Sequence, residues 1–219
     1  MDATPLTVRP LVGRDLIVYV DGFNLYHGLH ELSGTGLLWL DLVALARSLR
    51  PRSHLVQVKY FTAPVLDDAG ARSRQADYLK ALAAHSGDLL TVTRGRYQRK
   101  EISCRRCGHV RPHYEERETD VSIAVSLVAD ALSHACQDAL LVSADSDLVP
   151  AVTAVQERSP GTFVAAAFPP GRYSAHLKRL LPSSFTIGID KLRRAQLPDR
   201  VIDAHTGIAL QRPDKWRRG

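Results

Sequence analysis

The chain has 219 residues, 45% hydrophobic and 24% charged, which suits one globular domain with tails and leaves enough apolar surface for a core. No run approaches the roughly 18 apolar residues of a membrane span, and Met1-Asp2-Ala3-Thr4-Pro5 lacks the basic-then-apolar order of a secretory leader, so the expected compartment is the cytoplasm. Three cysteines argue against a disulfide framework, and a net charge of +6 with a pI near 9.4 favours polyanionic partners.

Residues 1–14 are polar and carry Pro5 and Pro10, so they read as a loose arm before a domain spanning 15–195. The β-branched run Leu16-Ile17-Val18-Tyr19-Val20 is a strand that ends in Asp21-Gly22-Phe23-Asn24, with Gly22 permitting a tight turn. A short helix follows with Leu25, Tyr26, Leu29 and Leu32 on one side. Asp41 caps a helix that runs to about Leu49 and stops before Pro51. Residues 55–61 are a second strand, 70–85 a helix and 89–93 a third strand. The segment 94–117 is too long for a plain connection and is expected to be a functional insertion loop. Residues 119–135 have helical spacing, 139–143 form a strand buried on both faces, 147–157 a helix and 162–167 a strand. A helix at 174–181 and a short strand at 185–187 close the domain, and 196–219 is a tail, either unfolded or laid over the body. Strands alternating with helices predict an α/β fold with a mainly parallel sheet and right-handed crossovers.

Two of these strands deliver acids to their carboxyl ends, where open parallel sheets bind ligands: Asp21 after the first, Asp145 and Asp147 after the fourth. Asp120 opens the helix at 119–135. Each has a plain alternative as a helix cap. Together they repel one another unless a cation lies between them, and three at strand or helix edges suggest a site for a hard cation.

The motifs Val-Tyr-Val-Asp21-Gly-Phe-Asn24-Leu-Tyr, Glu115-Glu-Arg-Glu-Thr-Asp120-Val and Leu-Leu-Val-Ser143-Ala-Asp145-Ser-Asp147-Leu-Val-Pro resemble those of the NYN domain, a PIN-like nuclease family, in its bacterial branch. Tyr60-Phe61-Thr62-Ala63 and Arg74-Gln75-Ala-Asp-Tyr78-Leu extend the likeness, which runs from about Leu16 to the end of the chain. The resemblance implies a Rossmann-like three-layer α/β/α sandwich and a magnesium- or manganese-dependent ribonuclease. Asp21, Asn24, Asp120, Asp145 and Asp147 match the acidic pocket of the family, the four aspartates as metal ligands. One departure is Ala144, where a glycine is common.

Phosphodiester hydrolysis needs an activated water and charge neutralisation, which hard oxygen ligands around magnesium provide. Asn24 is suited to orienting a water or phosphate oxygen, and Ser143 to fixing an acid's rotamer. Glu116, a turn's length before the helix, is placed for a second metal or a bridging water. Asp130 lies ten residues after Asp120, about 15 Å along a helix, and is left out of the site. Eight cations, Arg94, Arg96, Arg99, Lys100, Arg105, Arg106, Arg111 and Arg117, face three acids in 94–117. They form either a solvated loop or, beside the carboxylates, a grip on RNA phosphates. Among Phe23, Tyr26, Tyr97 and Tyr114, Tyr97 is the best candidate for stacking a base. Cys104 and Cys107 with His109 and His113 have the spacing of a small zinc knuckle, against the alternative of a reduced surface loop. Cys136 reads as core.

The expected partner is RNA, single-stranded or structured. The oligomeric state is open, a homodimer included. The rival reading is a non-catalytic RNA-binding or regulatory protein on the same scaffold. Neither a Gly-x-x-x-x-Gly-Lys loop nor a Gly-x-Gly-x-x-Gly turn occurs, which disfavours nucleotide-cofactor enzymes. No nucleophile elbow appears either.

Overall fold

The computed structural model describes residues 13–66, 68–103, 107 and 110–217, with the backbone alone over 97–103 and 110–117. It begins with β1 (Asp15–Asp21), α1 (Gly22–Ser33), α2 (Leu42–Leu49), β2 (His54–Thr62), α3 (Ala69–Ser86) and β3 (Leu90–Arg94). Then come β4 (Arg96–Ser103), β5 (Val110–Arg117), α4 (Thr119–Leu132), β6 (Asp138–Val142), α5 (Val149–Arg158), β7 (Phe163–Phe168), α6 (Ala175–Leu180) and β8 (Phe185–Thr186). The chain closes with α7 (Ile189–Arg194), β9 (Arg200–Ile202) and β10 (Ala209–Gln211).

Six strands form one sheet in the order β3-β2-β1-β6-β7-β8, every pair parallel. Alternation along β1 explains why both faces are covered. Leu16, Val18 and Val20 belong to one core with α1, α2, α3 and α7, while Ile17 and Tyr19 belong to a second with α4, α5 and α6. Such three-layer packing buries each strand on both sides, so β1 and β6 read as continuous apolar runs. The chain leaves β1 toward β2 and β3 on one side, then returns to place β6 on the other. That reversal opens a crevice beyond the carboxyl ends of β1 and β6, the topological switch point where ligands of such sheets bind.

Two expectations are refined. The segment predicted as a loop at 94–117 is a two-stranded antiparallel ribbon, β4 paired with β5 from Arg96 opposite Arg117 to Ser103 opposite Val110. It springs from the carboxyl end of β3, where the Gly95 amide donates to the Thr62 carbonyl at 2.8 Å. The residues after 195 fold over the body. Gln196 bridges Leu40, the Trp39 indole donates to the Pro198 carbonyl at 2.9 Å, and the Thr35 hydroxyl to the Lys215 carbonyl at 2.7 Å. This strap delivers Trp216 into the first core, against the rings of Trp39 and Tyr78.

Candidate functional site

Three carboxylates meet at the switch point. Asp21, Asp120 and Asp145 each offer an oxygen, and these atoms lie within 4.8 Å of one another. They come from the end of β1, the first turn of α4 and the turn after β6. All three stand at helix starts, where unpaired N–H groups and the dipole favour negative charge. Asp21 is the N-cap of α1 and accepts from the Asn24 amide at 2.9 Å, and Asp145 caps a 3-10 turn by accepting from the Asp147 amide at 2.9 Å. The capping reading thus holds for Asp21 and Asp145, while Asp120 lies in the first turn of α4, whose N-cap position is Glu118.

A hydrogen-bonded frame fixes these groups. The Ser143 hydroxyl donates to the second oxygen of Asp21 at 2.8 Å and accepts from the Asp145 amide at 3.0 Å. The Asn24 carbonyl oxygen accepts from the Ala144 amide at 3.0 Å, tying α1 to the turn after β6. The group that residue 144 contributes here is its backbone N–H, which every residue but proline supplies, so alanine serves. Asp21 is 3% exposed. Burial pushes its carboxyl above the usual range, bonds from the Asn24 amide and the Ser143 hydroxyl pull it back, and the neighbouring Asp145 charge pushes it up again.

Asp147 stands outside the three-acid group found among the described residues; it is exposed, and its amide supports Asp145. Asp130 accepts from Lys59 at 2.6 Å and from the Tyr19 hydroxyl at 2.7 Å, away from the cluster as the helix geometry requires. Glu118, just before α4, holds a left-handed backbone at φ 81° and pairs with Arg96 at 2.5 Å. Backbone strain of this kind gathers at functional sites, yet nothing in the sequence marks it.

The ribbon rises from the same rim, since β3 feeds β4 and β5 runs into Glu118 and α4. Arg94 and Arg96 at its base are exposed. Tyr97, Arg99, Lys100, His113, Tyr114, Glu116 and Arg117 lie on its paired strands, with Lys100 opposite His113 and Tyr97 opposite Glu116; their side chains lie outside the described residues. Cys104, Arg105, Arg106 and His109 lie outside them altogether, and Cys107 is exposed. Cys136 is buried in the second core, as expected.

Sequence reasoning missed a cavity of about 420 Å³ on the other side of the first turn of α1. Its lining includes Gly22, Phe23, Tyr26, Tyr60, Tyr78 and Trp216. These aromatics are scattered from 23 to 216, so no local pattern announces them. Burial pushes the Tyr60 hydroxyl up to about 12, a bond with Thr62 lowers it, and the Asp21 charge adds to the rise.

An open parallel sheet with carboxylates gathered at its switch point defines a Rossmann-like domain with a candidate hard-cation centre. Residues 15–187 match the NYN domain, and the chain belongs to that family. It is also similar, at 25% identity, to the 6-hydroxy-3-succinoylpyridine 3-monooxygenase of Pseudomonas putida, the match covering 71% of this chain and 57% of that protein. A solved structure, that of a Vibrio parahaemolyticus protein of unknown function, shares the fold with a TM-score of 0.58 at 20% identity, over 84% of this chain and 98% of that one. Among the described residues no helix is long and apolar enough to cross a membrane.

Proposed function

We propose that the chain hydrolyses RNA phosphodiester bonds at the Asp21–Asp120–Asp145 cluster, with magnesium or manganese held there. The NYN domain points to nuclease-like, RNA-related work. The observation that carries the finer reading is the convergence of three carboxylates from three separate elements within 4.8 Å. The donor set fits a hard cation. Carboxylate oxygens gathered within 4.8 Å of one another are the ligand type and the neighbourhood that a hard divalent ion takes. When bound, such an ion supplies a polarised water and neutralises charge on the phosphoryl group.

The chain's own residues do the rest. Ser143 and the Asn24 amide lock the rotamer of Asp21, and Asn24 holds α1 against the turn that carries Asp145. Arg94 and Arg96 would grip phosphates beside the carboxylates, Arg96 exchanging Glu118 for the backbone of the RNA. A non-catalytic RNA-binding or regulatory protein is the rival reading. It gains nothing from crowding carboxylates against a polyanion, one of them buried at a cost. The activity named for the Pseudomonas protein stays with that protein, of which this chain spans 57%.

The test is cleavage of mixed single-stranded RNA with manganese or magnesium. Asp120→Asn and Asp145→Asn should each lose more than the roughly 10–100-fold typical of outer partners of a metal site. Asp147→Asn keeps the amide that supports Asp145 and should lose far less. Equal cleavage by wild type and Asp145→Asn would refute the assignment. Tight, salt-sensitive RNA binding with no cleavage would favour the rival.

A further inference from the structure

The cavity behind α1 is not used by the reaction described above. Its walls are apolar and aromatic, Phe23 and Tyr26 from α1, Tyr60 from β2 and Trp216 from the strap. The lining also holds the cations Arg74 and Lys215 and one acid, Asp68, which pairs with Arg74 at 3.8 Å, so that Lys215 carries the positive charge in excess. At about 420 Å³ it is a ligand-sized chamber. The polar groups inside are already engaged: the Tyr78 hydroxyl donates to the Leu40 carbonyl at 2.8 Å, and the Gln75 side chain bonds the Val65 amide and the Ala63 carbonyl, each at 2.9 Å. The interior therefore offers faces to stack on and few free groups to read an edge with.

Position narrows the occupant. Gly22 and Phe23 line the cavity and directly follow Asp21, so one turn of backbone separates the chamber from the carboxylates. A flat ring carrying an anionic group matches aromatic walls with cations beside them. Lys215 and Trp216 lie beyond residue 187, where the family match ends, so one wall of this open-mouthed cavity comes from the strap. We propose that this cavity takes a nucleobase of the RNA strand next to the bond being cut, stacked among Phe23, Tyr26 and Trp216, with its phosphate toward Lys215 and Arg74. The proposal rests on the RNA reading and deepens it. Because stacking accepts every base, the site favours single strands and discriminates weakly among bases.

The experiment titrates the full chain, with EDTA present, using the four 5′-nucleoside monophosphates and, separately, nicotinate as a small aromatic carboxylate. Fluorescence of the two tryptophans, Trp39 and Trp216, is the readout. All four monophosphates should quench saturably, with affinities within about tenfold of one another. Ala71→Phe, which fills the chamber from α3, should weaken them by about tenfold or more. Lys215→Glu, at an exposed position that leaves folding intact, should weaken them several-fold. Asp145→Asn should bind them like wild type while failing to cleave RNA.

No saturable quenching, or quenching indifferent to both cavity variants, overturns the proposal even if wild type cleaves RNA. Nicotinate binding at least as tightly, with the same sensitivity to the variants, reassigns the chamber to small aromatic carboxylates and also overturns it. Variant-sensitive monophosphate binding by a wild type that cleaves no RNA would instead sink the hydrolase reading, and with it the neighbouring cut bond, while leaving the cavity as a nucleobase site.

Discussion

Asp21 shows what the cluster costs. It is nearly sealed from water beside another acid, and burial holds its carboxyl above the ordinary 3.8. A carboxylate raised in the folded state destabilises the fold in its ionised form. That penalty is full above the folded value and vanishes as pH falls below the unfolded one. Asp21→Asn should therefore melt a few degrees higher than wild type at pH 7 without divalent ions, at about 2–4 °C per kcal/mol. The gap should narrow toward pH 3.8, and manganese should raise the melting temperature of wild type only; calorimetry across pH checks both. Asp21 and Asp145 were legible in the sequence because each ends an apolar run. Asp147 shares that motif, yet Asp145 turns its oxygen back to the Asp147 amide and leaves residue 147 at the surface. Spacing alone does not tell which acid of such a turn joins the group.

At the scale of elements, the strand-to-helix junction after β1 is the tightest constraint. A Cβ on Gly22 would sit 2.5 Å from the Phe61 carbonyl oxygen, 2.9 Å from the Tyr60 ring and 3.0 Å from the Thr62 side chain. Backbone cannot yield as a side-chain tip does. Gly22→Ala should cost about 1–3 kcal/mol by overpacking and push α1 away from β2. Asn24 would then lose its grip on Ala144, so RNA cleavage should fall with stability, as paired melting and activity assays would show. The ribbon was illegible as strands because Arg96-Tyr97-Gln98-Arg99-Lys100 lacks apolar alternation, and a two-stranded ribbon off the main sheet has no core to bury one face against. Its base carries the exposed Arg94 and Arg96, the proposed grip on phosphate. Replacing Arg94 and Arg96 together by alanine should flatten the slope of log affinity against log salt by up to about 1.4, from roughly 0.7 per phosphate contact on single strands. An unchanged slope in filter binding would place those contacts elsewhere.

Over the whole molecule, the alternating pattern predicted the sheet and both helical layers correctly, since runs buried on two faces are hard to read otherwise. The strap was not predictable. Its apolar residues, Leu197, Val201 and Leu210, are spaced among charges and prolines, and their partners lie far away in sequence. Trp216 anchors it through edge contacts with Trp39 at 6.3 Å and Tyr78 at 5.9 Å. Trp216→Ala should cost about 3–5 kcal/mol and lower the melting temperature by on the order of 10 °C. A drop below 2 °C in a thermal scan would mean the strap adds little to the fold.

The parallel strands give the molecule two unlike poles. Asp15 enters at the one opposite the carboxylates, a strand length of about 20 Å away, whereas the strap brings Lys215 back beside α1. A fluorophore, bead or fused protein attached ahead of Asp15 would leave the crevice open to a long polymer. The same cargo hung after Trp216 would stand beside the aromatic cavity behind α1, so the choice of tether decides which of the two recesses stays open.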